Sequence, residues 1–152
     1  MDASTPPLHA EPRRVDQLIA HYGQSHQNPA NEVIHFIAIP LIMLSLVGML
    51  FAAHPVVAYT FVAASMVYYA RLSAVFLAAM VVWSALTLAV VLALGANVLP
   101  ISAAIFVGAW ILQFIGHKIE GKKPSFFEDI QYLWVGPLFV LSKLFGKLGV
   151  RW

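Results

Sequence analysis

The sequence predicts an all-α polytopic membrane bundle. Four spanning helices are expected, with a cytoplasmic helix before them and an interfacial or re-entrant helical segment after them. Three observations predict it. Of 152 residues, 61% are hydrophobic and 11% charged, against about 45–50% and about 25% in an average soluble domain. No Asp, Glu, Lys or Arg occurs from Val33 to Ala70, or again from Leu72 to His117. The basic residues that remain fall on alternate loops. The mean hydropathy of +0.80 excludes disorder, whose signature is low hydrophobicity with high charge. The absence of Cys removes disulfides, thiolate metal sites and cysteine nucleophiles together. A net charge of +2 without a basic stripe gives no footprint for nucleic acid.

Each element follows in order. Residues 1–14, with Pro6, Pro7 and Pro12, read as a mobile arm, and 15–152 as one integral membrane domain. The arm lacks the basic start and apolar run of a signal peptide, so no cleavage is expected. Val15 to Ser25 reads as a short helix with Leu18, Ile19 and Tyr22 on one face. Asn28 is suited to cap the next helix, with Pro29 at its first position and Glu32 against the positive end of its dipole. A span needs about 20 mainly apolar residues. The first charge-free stretch divides at Ala53-His54-Pro55, giving spans near Val33–Ala52 and Pro55–Ala70. The second divides at Gly95 to Pro100, giving Leu72–Leu94 and Pro100–His117.

Arg13 and Arg14 precede the first span, Arg71 separates the second from the third, and Lys118, Lys122 and Lys123 follow the fourth. The loops around His54 and Asn97 carry no Lys or Arg, so both termini are expected in the cytoplasm. Ser125 to Leu148 mixes aromatic and charged residues around Gly136-Pro137 and reads as an interfacial or re-entrant helical pair. Small size and the lack of a targeting signal suit a bacterial inner membrane, although an endoplasmic reticulum protein would look alike.

Topology sorts the six histidines. His26 lies just before the first span, His35 about two turns inside it, and His117 at the same end of the fourth. These imidazoles can meet at one membrane level, with His21 as an uncertain fourth. His54 falls at the opposite face and His9 in the arm, where hydrogen bonding to solvent or backbone accounts for them. Polar groups at membrane depth face the bundle interior and mark functional sites. Gln113 stands one helical turn before His117, and Glu120 three residues after it. Asn31, Gln113 and Glu120 are placed to hold the second ring nitrogen of a ligating imidazole. Imidazole with oxygen donors suits iron, zinc, copper or manganese.

The pattern Tyr22-x3-His26-x-Asn28-x2-Asn31-x3-His35-x4-Pro40, followed by Gln113-Phe114-Ile115-Gly116-His117, a Glu and a Pro, resembles a small polytopic family. That family includes the fungal 2-hydroxy fatty acid dioxygenase. The resemblance runs from about Tyr22 to Lys147. It implies an Fe(2+)-dependent α-oxidation, in which a long-chain 2-hydroxy fatty acid and O2 give the acid one carbon shorter, CO2 and water. It also implies His26, His35 and His117 as iron ligands and catalytic residues. Tyr22, Asn28, Asn31 and Gln113 match the family's polar positions, as residues bracing the ligands or meeting the substrate carboxylate. His21 matches no family histidine. Glu120 and Pro124 fall one residue closer to His117 than in the fungal members.

Two readings from other classes stand beside it. A b-type haem protein would take two of these histidines as axial ligands. A scaffold or transporter subunit would use His, Asn and Gln only to knit helices together, and predicts no stoichiometric metal. A di-iron hydroxylase or desaturase is set aside, because HxxxH and HxxHH clusters are absent.

Overall fold

Asn28 opens the longest uninterrupted α-helix of the chain: its side-chain oxygen accepts the Ala30 N–H at 2.9 Å, and Pro29 follows at the first helical position. The computed structural model describes residues 12–123 and 126–152, with Phe127 and Glu128 described by backbone alone. Among these residues the secondary structure is entirely helical. It comprises α1 (Arg14–Gly23), α2 (Pro29–Ala53), α3 (Pro55–Ala70), α4 (Ala74–Leu94), a 3-10 turn (Gly95–Asn97), α5 (Val98–Ile119), α6 (Phe126–Gln131) and α7 (Val135–Leu148). Residues 1–11 of the expected arm lie outside the described residues; within the remainder, Arg13 pairs with Asp16 at 2.9 Å.

The boundaries have local causes. His54 is extended between α2 and α3, and its Nδ1 accepts the Val56 N–H at 3.2 Å. Gly95, with φ of +53°, ends α4 in a conformation that side chains resist. The third helix starts at Ala74, not Leu72, because Ser73 is extended. The fourth runs from Val98 to Ile119, beyond both expected ends, since Pro100 is tolerated in a first turn whose N–H groups need no helical partner.

The four long helices alternate in direction. At one end Val47, Ala58, Val91 and Val98 join all four in one apolar cluster. Along α2 and α5 the backbones approach closely at both ends. A Cβ on Gly48 would collide with Ser102, and one on Gly116 would collide with Asn31 Oδ1 and press on the His35 ring. At the other end α1 and α7 close the bundle, with Val15, Tyr69, Phe76, Met80 and Leu138 packed between them and the α3–α4 turn.

The C-terminal segment is a helical pair, but its break falls at residues 132–134 and not at Gly136-Pro137, which sit in the first turn of α7. There the missing proline N–H costs no helical bond. The first half of α7, Val135 to Ser142, is buried throughout, packed among α1, α2 and α4. Trp134 fixes the entry: its Nε1–H donates to Ser65 Oγ at 2.8 Å, and its carbonyl accepts the Tyr69 hydroxyl at 3.0 Å.

The outward faces of the long helices are apolar, with Val56, Val67, Val82, Leu86, Val107 and Ile111 all exposed. Helix α2 and the helical run Ala74–Ile119 are long and apolar enough to cross a membrane, while α3 has 16 residues.

The close approach of α2 and α5 makes a testable asymmetry. Gly48→Ala is expected to destabilise the protein by about 1–3 kcal/mol through overpacking. Gly108→Ala on the exposed face of α5, where nothing lies within 4 Å of the added Cβ, is expected to be neutral or slightly stabilising. Thermal unfolding of the two variants in the same detergent checks this.

Candidate metal centre

Three histidines from three segments meet where α2 begins and α5 ends. His26 comes from the α1–α2 loop, His35 from the second turn of α2, and His117 from the last turn of α5. All three are buried. Their ring centroids are 4.1 Å apart for His26 and His35, 5.2 Å for His35 and His117, and 5.9 Å for His26 and His117.

Hydrogen bonding fixes two of the rings. His26 Nδ1 lies 2.8 Å from the Tyr22 carbonyl, and His35 Nδ1 lies 2.9 Å from the Asn31 carbonyl. A carbonyl only accepts, so each Nδ1 carries the proton and each Nε2 presents a lone pair. Both Nε2 atoms are buried without a hydrogen-bond partner. His117 Nε2 lies 3.0 Å from Asp129 Oδ1 but lacks hydrogen-bond geometry toward it. Burial, with repulsion from His117, holds His26 below the ordinary imidazole range against the opposing pull of the Tyr22 carbonyl, Glu120 and Asp129, which favours its neutral form.

Orphaned buried nitrogens are rare and call for a cause. Neutral imidazoles with one nitrogen bonded to a carbonyl and the other unpartnered have the donor chemistry of metal ligands. His26, His35 and His117 therefore could hold a divalent metal ion. Among the described residues no group of three or more His, Asp or Glu side chains already stands arranged to do so. A bound ion would have to draw the three Nε2 atoms together.

The other residues singled out in the sequence fall around this cluster. The Tyr22 ring stacks on His26 with centroids 4.2 Å apart. Burial, then the charge of Asp129, pushes the Tyr22 hydroxyl above the usual phenol range, opposed by the Gln113 amide. Gln113 is buried in α5, with its Oε1 unpartnered. Asn31 is fully buried, and its Nδ2–H donates to Glu120 Oε2 at 3.0 Å and to the Ser25 carbonyl at 3.3 Å. The Asn28 side chain caps α2, and its N–H donates to Glu120 Oε2 at 2.9 Å. His21 contacts the Tyr132 hydroxyl at 2.9 Å. His54 caps α3 at the far end, and His9 lies outside the described residues.

Glu120 touches none of the three rings within hydrogen-bond distance. Its Oε1 accepts the Gln27 N–H at 2.8 Å, so with Asn28 and Asn31 it ties the His26 loop to the end of α5. Partial desolvation works to raise its pKa, but these hydrogen bonds outweigh it and keep the carboxyl below its ordinary value.

Sequence reasoning missed Asp129 and Tyr132 as site residues. Gly121, with φ of +75°, turns the chain sharply at the end of α5. The Lys122 N–H then bonds the His117 carbonyl and the Gly121 N–H the Lys118 carbonyl, a Schellman closure. The chain returns through α6 with Asp129 beside His117. The available signal was spacing, since Asp129 and Tyr132 are three residues apart in a segment read only as aromatic and amphipathic.

Asp129, Tyr132, Tyr22, His26, Lys122 and Lys123 help line a cavity of about 460 Å³. A narrow slot continues from Tyr22, Asp129 and Tyr132 between Ile39, Ile42, Met43, Trp110 and Leu133. The mouth is polar and partly basic; the slot is mainly apolar, apart from Gln113 and the residues it shares with the cavity.

A family model described as "Mpo1-like: 2-hydroxy-palmitic acid dioxygenase Mpo1-like" matches residues 13–148. The "2-hydroxy-palmitic acid dioxygenase MPO1" of Saccharomyces cerevisiae (strain ATCC 204508 / S288c) is 30% identical over 143 residues, covering 86% of this chain and 79% of the yeast protein. No solved structure matches.

If Glu120 holds the loop, its removal loosens a defined set of amides. Glu120→Ala is expected to speed hydrogen exchange at Gln27 and Asn28 by about tenfold or more, corresponding to about 1.4 kcal/mol or more of lost local protection, while α4 stays protected. Unchanged exchange at those two amides would show that the loop does not depend on this carboxylate.

Proposed function

The chain belongs to the Mpo1-like family, and from that premise we propose that it is an Fe(II)-dependent dioxygenase of long-chain 2-hydroxy fatty acids. The overall reaction balances without an outside reductant: RCH(OH)COOH and O2 give RCOOH, CO2 and H2O. The observation that carries this reading is the buried cluster of His26, His35 and His117, whose Nε2 atoms have no hydrogen-bond partner.

In this reading those three imidazoles hold the iron, and the backbone carbonyls of Tyr22 and Asn31 keep two of the rings in the ligating tautomer. Iron bound there would supply the redox chemistry and a meeting point for O2 and the substrate's hydroxyl and carboxylate. The chain's own residues do the rest. Lys122 and Lys123 attract the carboxylate to the cavity mouth. The apolar slot between α2, α5 and Leu133 widens to take the start of the acyl chain. Tyr22 and Gln113, both buried, wall the reacting end from water.

The apolar outer faces support four spans through a bilayer, formed by α2 to α5. Arg71, Lys118, Lys122 and Lys123 then gather at the end where α1 and α7 close the bundle, which by the positive-inside rule is cytoplasmic along with both termini. Substrate dissolved in the membrane would reach the site with its carboxylate at the cytoplasmic rim.

The test is mass spectrometry of fatty acids after detergent-purified protein meets Fe(II), O2 and 2-hydroxypalmitic acid. The expected product is the acid one carbon shorter, falling at least about 100-fold in the His35→Ala protein. Folded, iron-loaded protein that yields none would overturn the proposed reaction.

A further inference from the structure

We infer that Asp129 supplies the carboxylate donor of the metal set, beside His117. This rests on the metal-binding part of the proposed function, not on the identity of the substrate.

Four observations carry it. Asp129 Oδ1 lies 3.0 Å from His117 Nε2, and the pair lacks hydrogen-bond geometry. Two donors each about 2.1 Å from one cation and about 90° apart stand about 3.0 Å from each other, so this separation is that of neighbouring ligands. The second oxygen, Oδ2, is buried with no partner. The side chain is only 12% exposed, and among the described residues its ion-pair contact is His117. A largely buried carboxylate with an unpartnered oxygen beside a histidine cluster is a site that a divalent cation would fill. Finally, Asp129 lines both the polar cavity and the mainly apolar slot.

The fold shows why the carboxylate arrives here. Gly121, with positive φ, turns the chain four residues after His117, and the six-residue α6 carries Asp129 beside that histidine. Trp134 then anchors the following turn to α3 through Ser65 and Tyr69. Asp129 is thus tethered on both sides within a short segment. Three imidazoles and one carboxylate would together hold the ion and offset part of its charge.

The experiment uses the full chain in detergent, stripped of metal and titrated with Co(II) alone. Binding is followed by competition with a chromophoric chelator and by the visible d–d spectrum, and folding by circular dichroism. Wild type is expected to bind one Co(II) per chain. Asp129→Asn, which preserves shape, is expected to bind at least about 100-fold more weakly with an altered spectrum. Asp16→Asn, in α1 and paired with Arg13 and Trp152, serves as the control carboxylate. If Asp129→Asn does not fold, Asp129→Glu decides: a displaced d–d band supports ligation, and an unmoved band overturns it. Affinity within threefold of wild type in folded Asp129→Asn also overturns it. So does weaker binding with an unchanged spectrum, because Asp129 would then act only through His117. Failure of wild type to bind Co(II) overturns the inference together with the metal centre. The Co(II) result expected above, without any shortened acid from the iron-loaded protein, leaves Asp129 as a ligand and removes only the proposed reaction.

Discussion

Small residues let α2 and α5 lie against one another closely enough to bury histidines side by side, and the site depends on that contact. Gly116 has no room for a side chain because Asn31 and His35 occupy the space, and Gly48 stands likewise against Ser102. With both ends of the interface drawn in, His35 and His117 face each other across it, and solvent is excluded from His35 altogether. An imidazole so enclosed must satisfy its polar atoms locally or bind something. His35 does the first at Nδ1, through the carbonyl one turn back in its own helix, and leaves Nε2 open.

The last turn of α5 organises what lies around that contact. Its Glu120 accepts hydrogen bonds from two loop amides and from Asn31, bringing the His26 loop against the helix that carries His117. One residue later Gly121 reverses the chain, so the segment leaving the helix comes back over the same histidines. Two neighbouring residues thus fix the loop on one side of the cluster and the return of Asp129 on the other. The buried half of α7 completes the enclosure, where Phe139 packs on Tyr22 and near the His26 ring.

The arrangement joins two environments within a small chain. Lysines and tyrosines border the open cavity, while the slot beside it is lined mostly by apolar side chains of α2 and α5, with Gln113 and Asp129 among them. That gradient matches an amphiphile with an anionic head, and the apolar exterior of the long helices suits the medium in which such molecules dissolve. Helices hydrophobic on all sides cannot be ordered by amphipathicity, so shape and buried polar contacts choose their partners.

By itself the sequence determined the helices and the histidine level. Charge-free runs, Pro and Gly breaks and the Asn28 cap act over a few residues, so they located α2 through α5 to within a few positions. The motif spacing carried His26, His35 and His117. Other features were decided only by the tertiary structure. Glu120 stood close to His117 in sequence, yet its partners lie some ninety positions away and turn it to the loop rather than to a ring. Asp129 sits in a segment whose mixed composition fits an interface as well as an interior. Trp134, held by Ser65 and Tyr69 of α3, helps direct the following helix inward and the carboxylate toward His117. Local hydropathy is a property of neighbours in the chain, but the side chains of this cluster are neighbours only after the helices have packed.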